Sequence, residues 1–145
     1  MTKIKGHCEC KSVSFEINQK ITHFSHCHCS QCRRSHGAAF GSYIEVKNSS
    51  LHYYFGEDHL KSYASSKYSQ RIFCKECGSN IMFVNDHITD RCYVALGLID
   101  GDPELPKAEH IFVESKAPWH EINDDLKQYD EEPADSDHAD LYPEK

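Results

Sequence analysis

Short stretches in which apolar and polar residues alternate recur over the first 120 residues, a pattern typical of strands that bury one face. Val13, Phe15 and Ile17 show it most clearly, because all their neighbours are polar. Further strand signals cover 38–46, 51–56, 71–73, 80–84, 92–99 and 110–113. We expect 51–56 to return alongside 38–46, and no stretch has a long helical periodicity. The pattern therefore predicts a mainly β chain.

Three closely spaced cysteines interrupt these strand patterns. Cys27, Cys29 and Cys32 have the spacing Cys-x-Cys-x-x-Cys, which lets a short loop bring its sulfurs to one point, as a tetrahedral metal requires. Zinc with three protein ligands keeps a fourth position for an external ligand, and such open sites are catalytic rather than structural. We interpret the three cysteines as ligands of an open zinc site. The alternative is three unrelated buried or redox-active cysteines.

Two cysteine pairs lie on either side of that run. Cys8 and Cys10 form one pair, and Cys74 and Cys77 form another, which Gly78 follows. Glycine suits the left-handed turn in which backbone amides face the sulfurs. Two such pairs brought together make a closed structural zinc site, which contributes directly to folding. The spacing therefore predicts two zinc ions per chain.

The eighth cysteine, Cys92, lies in an apolar run at 92–96 and has no nearby partner in the sequence. We interpret it as a small core residue. The alternative is that Cys92 completes the run at 27–32 as a second closed site.

The net charge of −7 is concentrated at the end of the chain. Residues 121–145 contain ten acids against Lys127 and Lys145, which leaves the rest at +1. We predict one folded domain at 1–122 and an acidic, mobile tail at 123–145, because the tail has few apolar residues to bury. The nearly neutral body lacks the basic stripe that nucleic-acid binding requires, so no nucleic-acid partner is expected.

The chain has neither an apolar signal segment nor a run of about 20 apolar residues that could span a membrane. We therefore expect a cytoplasmic protein with no membrane partner. In a reducing compartment, paired cysteine motifs indicate metal more often than disulfides.

Five motifs in order carry a resemblance to a known family. They are Gly-x-Cys-x-Cys at 6–10, Cys-His-Cys-x-x-Cys-Arg at 27–33, Phe-Cys-x-x-Cys-Gly at 73–78, Gly-x-x-Asp at 97–100 and His-Ile-Phe…Pro-Trp at 110–119. Together they resemble the glutathione-dependent formaldehyde-activating enzyme family, which shares its domain with centromere protein V. The resemblance covers most of the predicted folded domain.

The resemblance implies a single-domain, largely antiparallel β-tent fold with two zinc ions. It implies a structural zinc on the two cysteine pairs and a second zinc, associated with activity, on Cys27, Cys29 and Cys32. One departure is Lys11, at a position where many members have glycine.

The activity implied is that of a carbon–sulfur lyase acting on thiol adducts of small aldehydes, such as S-hydroxymethylglutathione, so a small thiol and an aldehyde are the expected partners. Arg33, Arg34 and His36 could hold a carboxylate of a peptide-like thiol. The alternative is that both arginines lie on a solvated surface or pair with nearby acids. We expect His26 and His28 to turn to solvent.

Two other functions remain open on the sequence. One is a zinc-stabilised binding module without catalysis. The other is a thiol-redox protein that uses Cys27 with Cys29 or Cys32, although zinc-bound thiolates are withheld from disulfide exchange.

Overall fold

A computed structural model of the chain describes residues 3–133, and these form a mainly β structure, which confirms the predicted fold class. The elements are β1 (Ile4–His7), β2 (Ser14–Ile17), β3 (Phe24–Cys27), α1 (Ser30–His36), β4 (Gly41–Lys47), β5 (Leu51–Phe55), β6 (Leu60–Ala64), β7 (Ser69–Cys74), β8 (Asn80–Asn85), β9 (Ile88–Ala95) and β10 (Glu109–Ile111). The described residues divide into two compact units, one of 3–24 and 43–106 and the other of 25–42 and 107–133.

In the first unit, β1, β2 and β5 form an antiparallel sheet with β2 in the centre. Phe15 and Ile17 are fully buried there, as their alternation predicts. The expectation that 51–56 returns alongside 38–46 is wrong, because β5 pairs with β2 and β4 pairs with β9. A 3-10 turn at Asn48–Ser50 redirects the chain, and the amide of Asn18 bonds to Ser50 O.

The same unit contains an antiparallel run of strands in the order β4, β9, β8, β7, β6. Ile44, Val46, Ile81 and Val94 are fully buried in its core. No clear sequence pattern marks β6, because this terminal strand of the run is largely exposed and so lacks an alternating apolar face.

In the second unit, β10 lies parallel to β3, with His110 opposite His26 and Ile111 opposite Cys27. After β3 the chain enters α1, where the sequence indicated only a short loop. At seven residues, α1 is too short to show a helical periodicity, and its N-cap is Cys29 rather than one of the usual capping residues. The Sγ atom of Cys29 accepts a hydrogen bond from the amide of Cys32 at 3.3 Å.

The beginning of the predicted tail pairs with the end of β10 and the residues after it. The amide of His110 donates to Lys127 O, and the amide of Tyr129 donates back to His110 O. Phe112 and Val113 donate in turn to the carbonyls at 131 and 129. The interpretation of 123–145 as a solvated tail did not include this pairing, and 134–145 lie outside the described residues.

None of the helices among residues 3–133 is long and apolar enough to cross a bilayer.

Candidate metal centres

The first unit brings its two cysteine pairs together. The Sγ atoms of Cys8, Cys10, Cys74 and Cys77 all lie within 4.8 Å of one another. Two of these separations are 3.7 Å, between Cys8 and Cys10, and 3.8 Å, between Cys10 and Cys74. Tetrahedral zinc with Zn–S bonds of about 2.3 Å places its sulfurs about 3.8 Å apart. The four sulfurs therefore have the spacing of a closed zinc site.

Two similar turns position these pairs. Lys11 donates its amide to Cys8 O at 3.0 Å, and Gly78 donates its amide to Cys74 O at 2.8 Å. Both residues have left-handed backbone, with φ of 65° at Lys11 and 78° at Gly78. The turn expected at Gly78 is confirmed. Beyond the first turn, Val13 N donates to Cys8 Sγ at 3.3 Å.

The four thiols differ in how readily they lose a proton. Burial raises the pKa of Cys8 to about 11. Burial acts in the same direction on Cys77, but hydrogen bonds with Ser79 and with the backbone of Cys10 outweigh it and lower the pKa of Cys77 to about 6. A hydrogen bond with Ser12 lowers the pKa of Cys10. Metal ligation requires thiolates, so the lowered pKa values of Cys10 and Cys77, the two more accessible thiols, favour it.

The second unit holds the other cluster. Cys27 ends β3, Cys29 caps α1 and Cys32 lies in its first turn, and their Sγ atoms lie within 4.8 Å of one another. Cys27 and Cys32 are buried, whereas Cys29 is partly accessible. The neighbouring thiols of Cys29 and Cys32, together with burial, raise the pKa of Cys27. We call these residues the three-cysteine cluster.

Both donor sets fit a bound metal. All eight cysteines are free, and sulfurs 3.7 Å apart are far outside the disulfide bond length of about 2 Å. Cys92 belongs to neither cluster, and burial raises its pKa to about 12, as expected for a core residue. Sets made only of cysteine sulfur favour zinc over magnesium or calcium, which prefer oxygen.

The prediction that His26 and His28 turn to solvent is wrong. His28 is fully buried, and His26 is half-buried with its Nδ1 2.8 Å from Ser42 Oγ. Both rings pack against Phe40 and His110, with centroid distances of 4.7–5.1 Å. Burial, reinforced by the nearby His110, lowers the pKa of each histidine to about 4.

Two further residues in this unit carry chemistry that the sequence did not assign. His28 Nε2 lies 2.8 Å from His110 Nδ1, and His110 Nε2 lies 2.9 Å from a carboxylate oxygen of Asp124. This hydrogen bond with His110 lowers the pKa of Asp124. His110 belongs to a recognised motif, but Asp124 stands among many acids, so no local signal distinguished it.

The two arginines after the cluster differ in their surroundings. Arg34 is exposed, whereas Arg33 is half-buried and its Nε is enclosed without a hydrogen-bond partner. Neither arginine forms an ion pair with another residue in 3–133. His36, the third predicted carboxylate contact, is the last residue of α1.

Comparison with protein families places the chain. The family model described as glutathione-dependent formaldehyde-activating enzyme matches residues 3–115, and this range contains both cysteine clusters. The chain belongs to this family. The family resemblance inferred from the sequence is thereby confirmed, whereas Asp124 lies outside the matched residues.

Individual relatives agree with this placement. The chain is 24% identical over 116 residues to an uncharacterized lyase of Schizosaccharomyces pombe, a match covering 80% of this chain and 82% of that protein. It is 25% identical over 126 residues to a protein of Halomonas elongata, covering 82% and 80%. It is 31% identical over 87 residues to one of Phaeosphaeria nodorum, covering 59% and 46%. The last two carry names that assign them provisionally to glutathione-dependent formaldehyde activation.

A crystal structure of a Rhodobacter sphaeroides protein has a similar fold. The TM-score is 0.55 with 22% sequence identity, and the match covers 68% of this chain and 89% of that one. At this identity the likeness concerns the fold alone.

Proposed function

We propose that this chain is a zinc-dependent carbon–sulfur lyase acting on thiol adducts of small aldehydes, such as S-hydroxymethylglutathione. The observation that carries the proposal is a cluster of three cysteine sulfurs with no fourth thiolate among residues 3–133. Membership of the formaldehyde-activating family, and the lyase name of the fission-yeast relative, support this class of reaction.

The reaction forms or breaks one carbon–sulfur bond. In the forming direction, the thiol sulfur bonds to the carbonyl carbon, the carbonyl electron pair moves to oxygen, and the thiol proton ends on that oxygen. The adduct contains all the atoms of the thiol and the aldehyde, and no external oxidant is needed. Cleavage is the same step reversed.

The three-cysteine cluster would hold a zinc ion, and the two pairs in the first unit would hold another. Zinc at the three-cysteine cluster would supply a positive charge and a place for an external ligand, which would favour the thiolate form of an incoming thiol. As ligands, the three cysteines would need no change of oxidation state.

Arg33 is the side chain best suited to hold a carboxylate of the thiol substrate. It lies one residue after Cys32, and its enclosed Nε–H has no acceptor among the described residues. Buried donors in native proteins are nearly always paired, so a ligand carboxylate would satisfy this one. The guanidinium can bind a carboxylate through two parallel hydrogen bonds.

The Arg33→Gln variant tests this contact. We expect the KM for glutathione to rise about tenfold or more with little change in kcat, because a hydrogen bond to a charged group contributes about 1.5–3 kcal/mol. Arg34→Gln is the matched control, since it removes the same charge from an exposed neighbour. Equal effects of both substitutions would indicate general electrostatic attraction and would argue against a specific contact.

The activity itself is tested by metal analysis together with adduct formation. We expect two zinc per wild-type chain and acceleration of the formaldehyde–glutathione reaction, and one zinc with no acceleration in Cys29→Ser. Wild-type protein with two zinc and no effect on the adduct rate would favour a binding module instead. A single zinc, with Cys29 open to thiol reagents, would rule out the second metal site.

A further inference from the structure

Three side chains of the second unit form a continuous hydrogen-bonded chain from the surface to the three-cysteine cluster. Asp124 has a partly exposed carboxylate, and its two oxygens lie 3.1 and 2.9 Å from His110 Nε2. His110 is almost completely buried, and its Nδ1 lies 2.8 Å from His28 Nε2. His28 is the residue between Cys27 and Cys29.

The Asp124 carboxylate determines which atom donates each of these hydrogen bonds. An ionised carboxylate can only accept, so His110 Nε2 must carry the proton that it donates to Asp124. When His110 is neutral, its imidazole has one donor and one acceptor nitrogen, so His110 Nδ1 accepts from His28 Nε2. His28 is thereby left with an unprotonated Nδ1. That atom is buried and has no hydrogen-bond partner among the described residues.

Further contacts show that His28 is held firmly. Its backbone N–H donates to Ile111 O at 2.9 Å, and its ring packs at 5.0 Å from the centroids of both Phe40 and His110. The ring of His120 lies 6.0 Å away. The residue between two of the clustered cysteines is therefore bonded through its backbone to β10 and packed through its ring against two other rings.

We propose that Asp124 is a positioning residue for the three-cysteine cluster: through His110 it holds His28 in one tautomer and one orientation, and so fixes the backbone between Cys27 and Cys29. The inference rests on the metal binding proposed above for this cluster. Asp124 lies beyond residues 3–115, so the match to the family does not include it.

The Asp124→Asn variant should reverse the donor and acceptor roles along these hydrogen bonds with little change in side-chain shape. Asp124 Oδ1 also accepts from the Leu126 amide at 3.1 Å, and the asparagine oxygen can keep this bond. The amide nitrogen then faces His110 Nε2 and donates to it, which moves the proton of His110 to Nδ1 and that of His28 to Nδ1. In Ser–His–Asp triads, the same replacement preserves geometry and imposes the wrong tautomer. His28 would then bury a donor without an acceptor, which is unfavourable.

Two measurements test the proposal. Long-range proton–nitrogen NMR at pH 8 should show protonated Nε2 for His28 and His110 in wild type, and protonated Nδ1 for both in Asp124→Asn. Zinc release to a chromophoric chelator should be about tenfold faster in Asp124→Asn, in the kinetic phase that is missing from Cys29→Ser. Asp125→Asn, which removes the adjacent exposed carboxylate, should match wild type in both measurements.

Three outcomes would overturn the inference. The first is protonated Nδ1 at His110 in wild type, a result that does not require a folded variant. The second is two zinc per chain with unchanged release in Asp124→Asn, which would leave the proposed function intact. The third is a single zinc per wild-type chain, which would remove the proposed function as well.

Discussion

Lys11 and Gly78 adopt the same left-handed backbone conformation, although one has a long side chain and the other has none. Each directly follows a cysteine pair, and each donates its amide to the carbonyl of the first cysteine of that pair. Glycine takes this conformation without steric cost, whereas a residue with a Cβ is strained by about 1–2 kcal/mol. The four-cysteine site therefore tolerates strain at Lys11.

Lys11→Gly should raise the free energy of unfolding by about 0.5–1 kcal/mol, because relief of strain exceeds the extra entropy of glycine in the unfolded chain. The reciprocal variant Gly78→Lys should lower it by about 1 kcal/mol or more. A Cβ at Gly78 would meet no atom within 4 Å, so backbone strain is the relevant effect there. Urea denaturation of the zinc-loaded proteins measures both changes, and the same sign for both variants would refute the explanation.

The elements that the sequence predicted well are those whose signal is local. Phe15 and Ile17 identify β2 because burial of one strand face requires alternation within a few residues. The burial of His26 and His28 instead depends on β10, more than 80 residues further along, so a local pattern could not reveal it.

The segment at 127–131 acts as an additional pairing element for β10 and the residues after it, despite its acidic composition. Its stabilising groups are backbone amides and carbonyls, which every sequence has. The acidic composition therefore indicates exposed side chains but does not reveal the backbone pairing. The same segment follows Asp124, whose carboxylate lies 2.9 Å from His110 Nε2.

Deleting residues after Pro133 should leave this pairing intact, because its hydrogen bonds to β10 and the residues after it come from residues up to 131. Deleting residues after Ile122 removes the partners of His110, Phe112 and Val113, together with Asp124. We expect a lower melting temperature and loss of zinc from the three-cysteine cluster in the shorter protein alone. Thermal denaturation and metal analysis of both deletions check this, and equal behaviour would show that the pairing contributes nothing.

At the scale of the whole molecule, each compact unit contains one complete cysteine cluster. The spacing of the cysteines predicted this grouping, because ligands of one metal come in close pairs or runs. It did not predict the supporting residues. Asp124 reaches His110 across 14 residues, and one carboxylate among ten acids carries no distinguishing mark in the sequence.

Because each unit contains its own cluster, we predict that loss of a cysteine ligand has different effects in the two units. Cys74→Ser should destabilise the first unit severely, since structural zinc in small domains contributes on the order of 10 kcal/mol to folding. Cys29→Ser should leave a soluble protein that retains one zinc. Thermal denaturation and elemental analysis distinguish the two, and equal insolubility of both variants would contradict the assignment of separate roles.

The capping bond between Cys29 and the Cys32 amide means that one sulfur both starts α1 and belongs to the three-cysteine cluster. Substitutions at this position can separate the capping role from the ligand role. Serine is a better helix cap than cysteine but a poor zinc ligand, whereas alanine can do neither. Amide chemical shifts over 30–36 should stay helical with serine at position 29 and move toward coil with alanine. The difference between the serine and alanine proteins would measure how much of the helix depends on the cap, and the difference between wild type and the serine protein would measure how much depends on the metal.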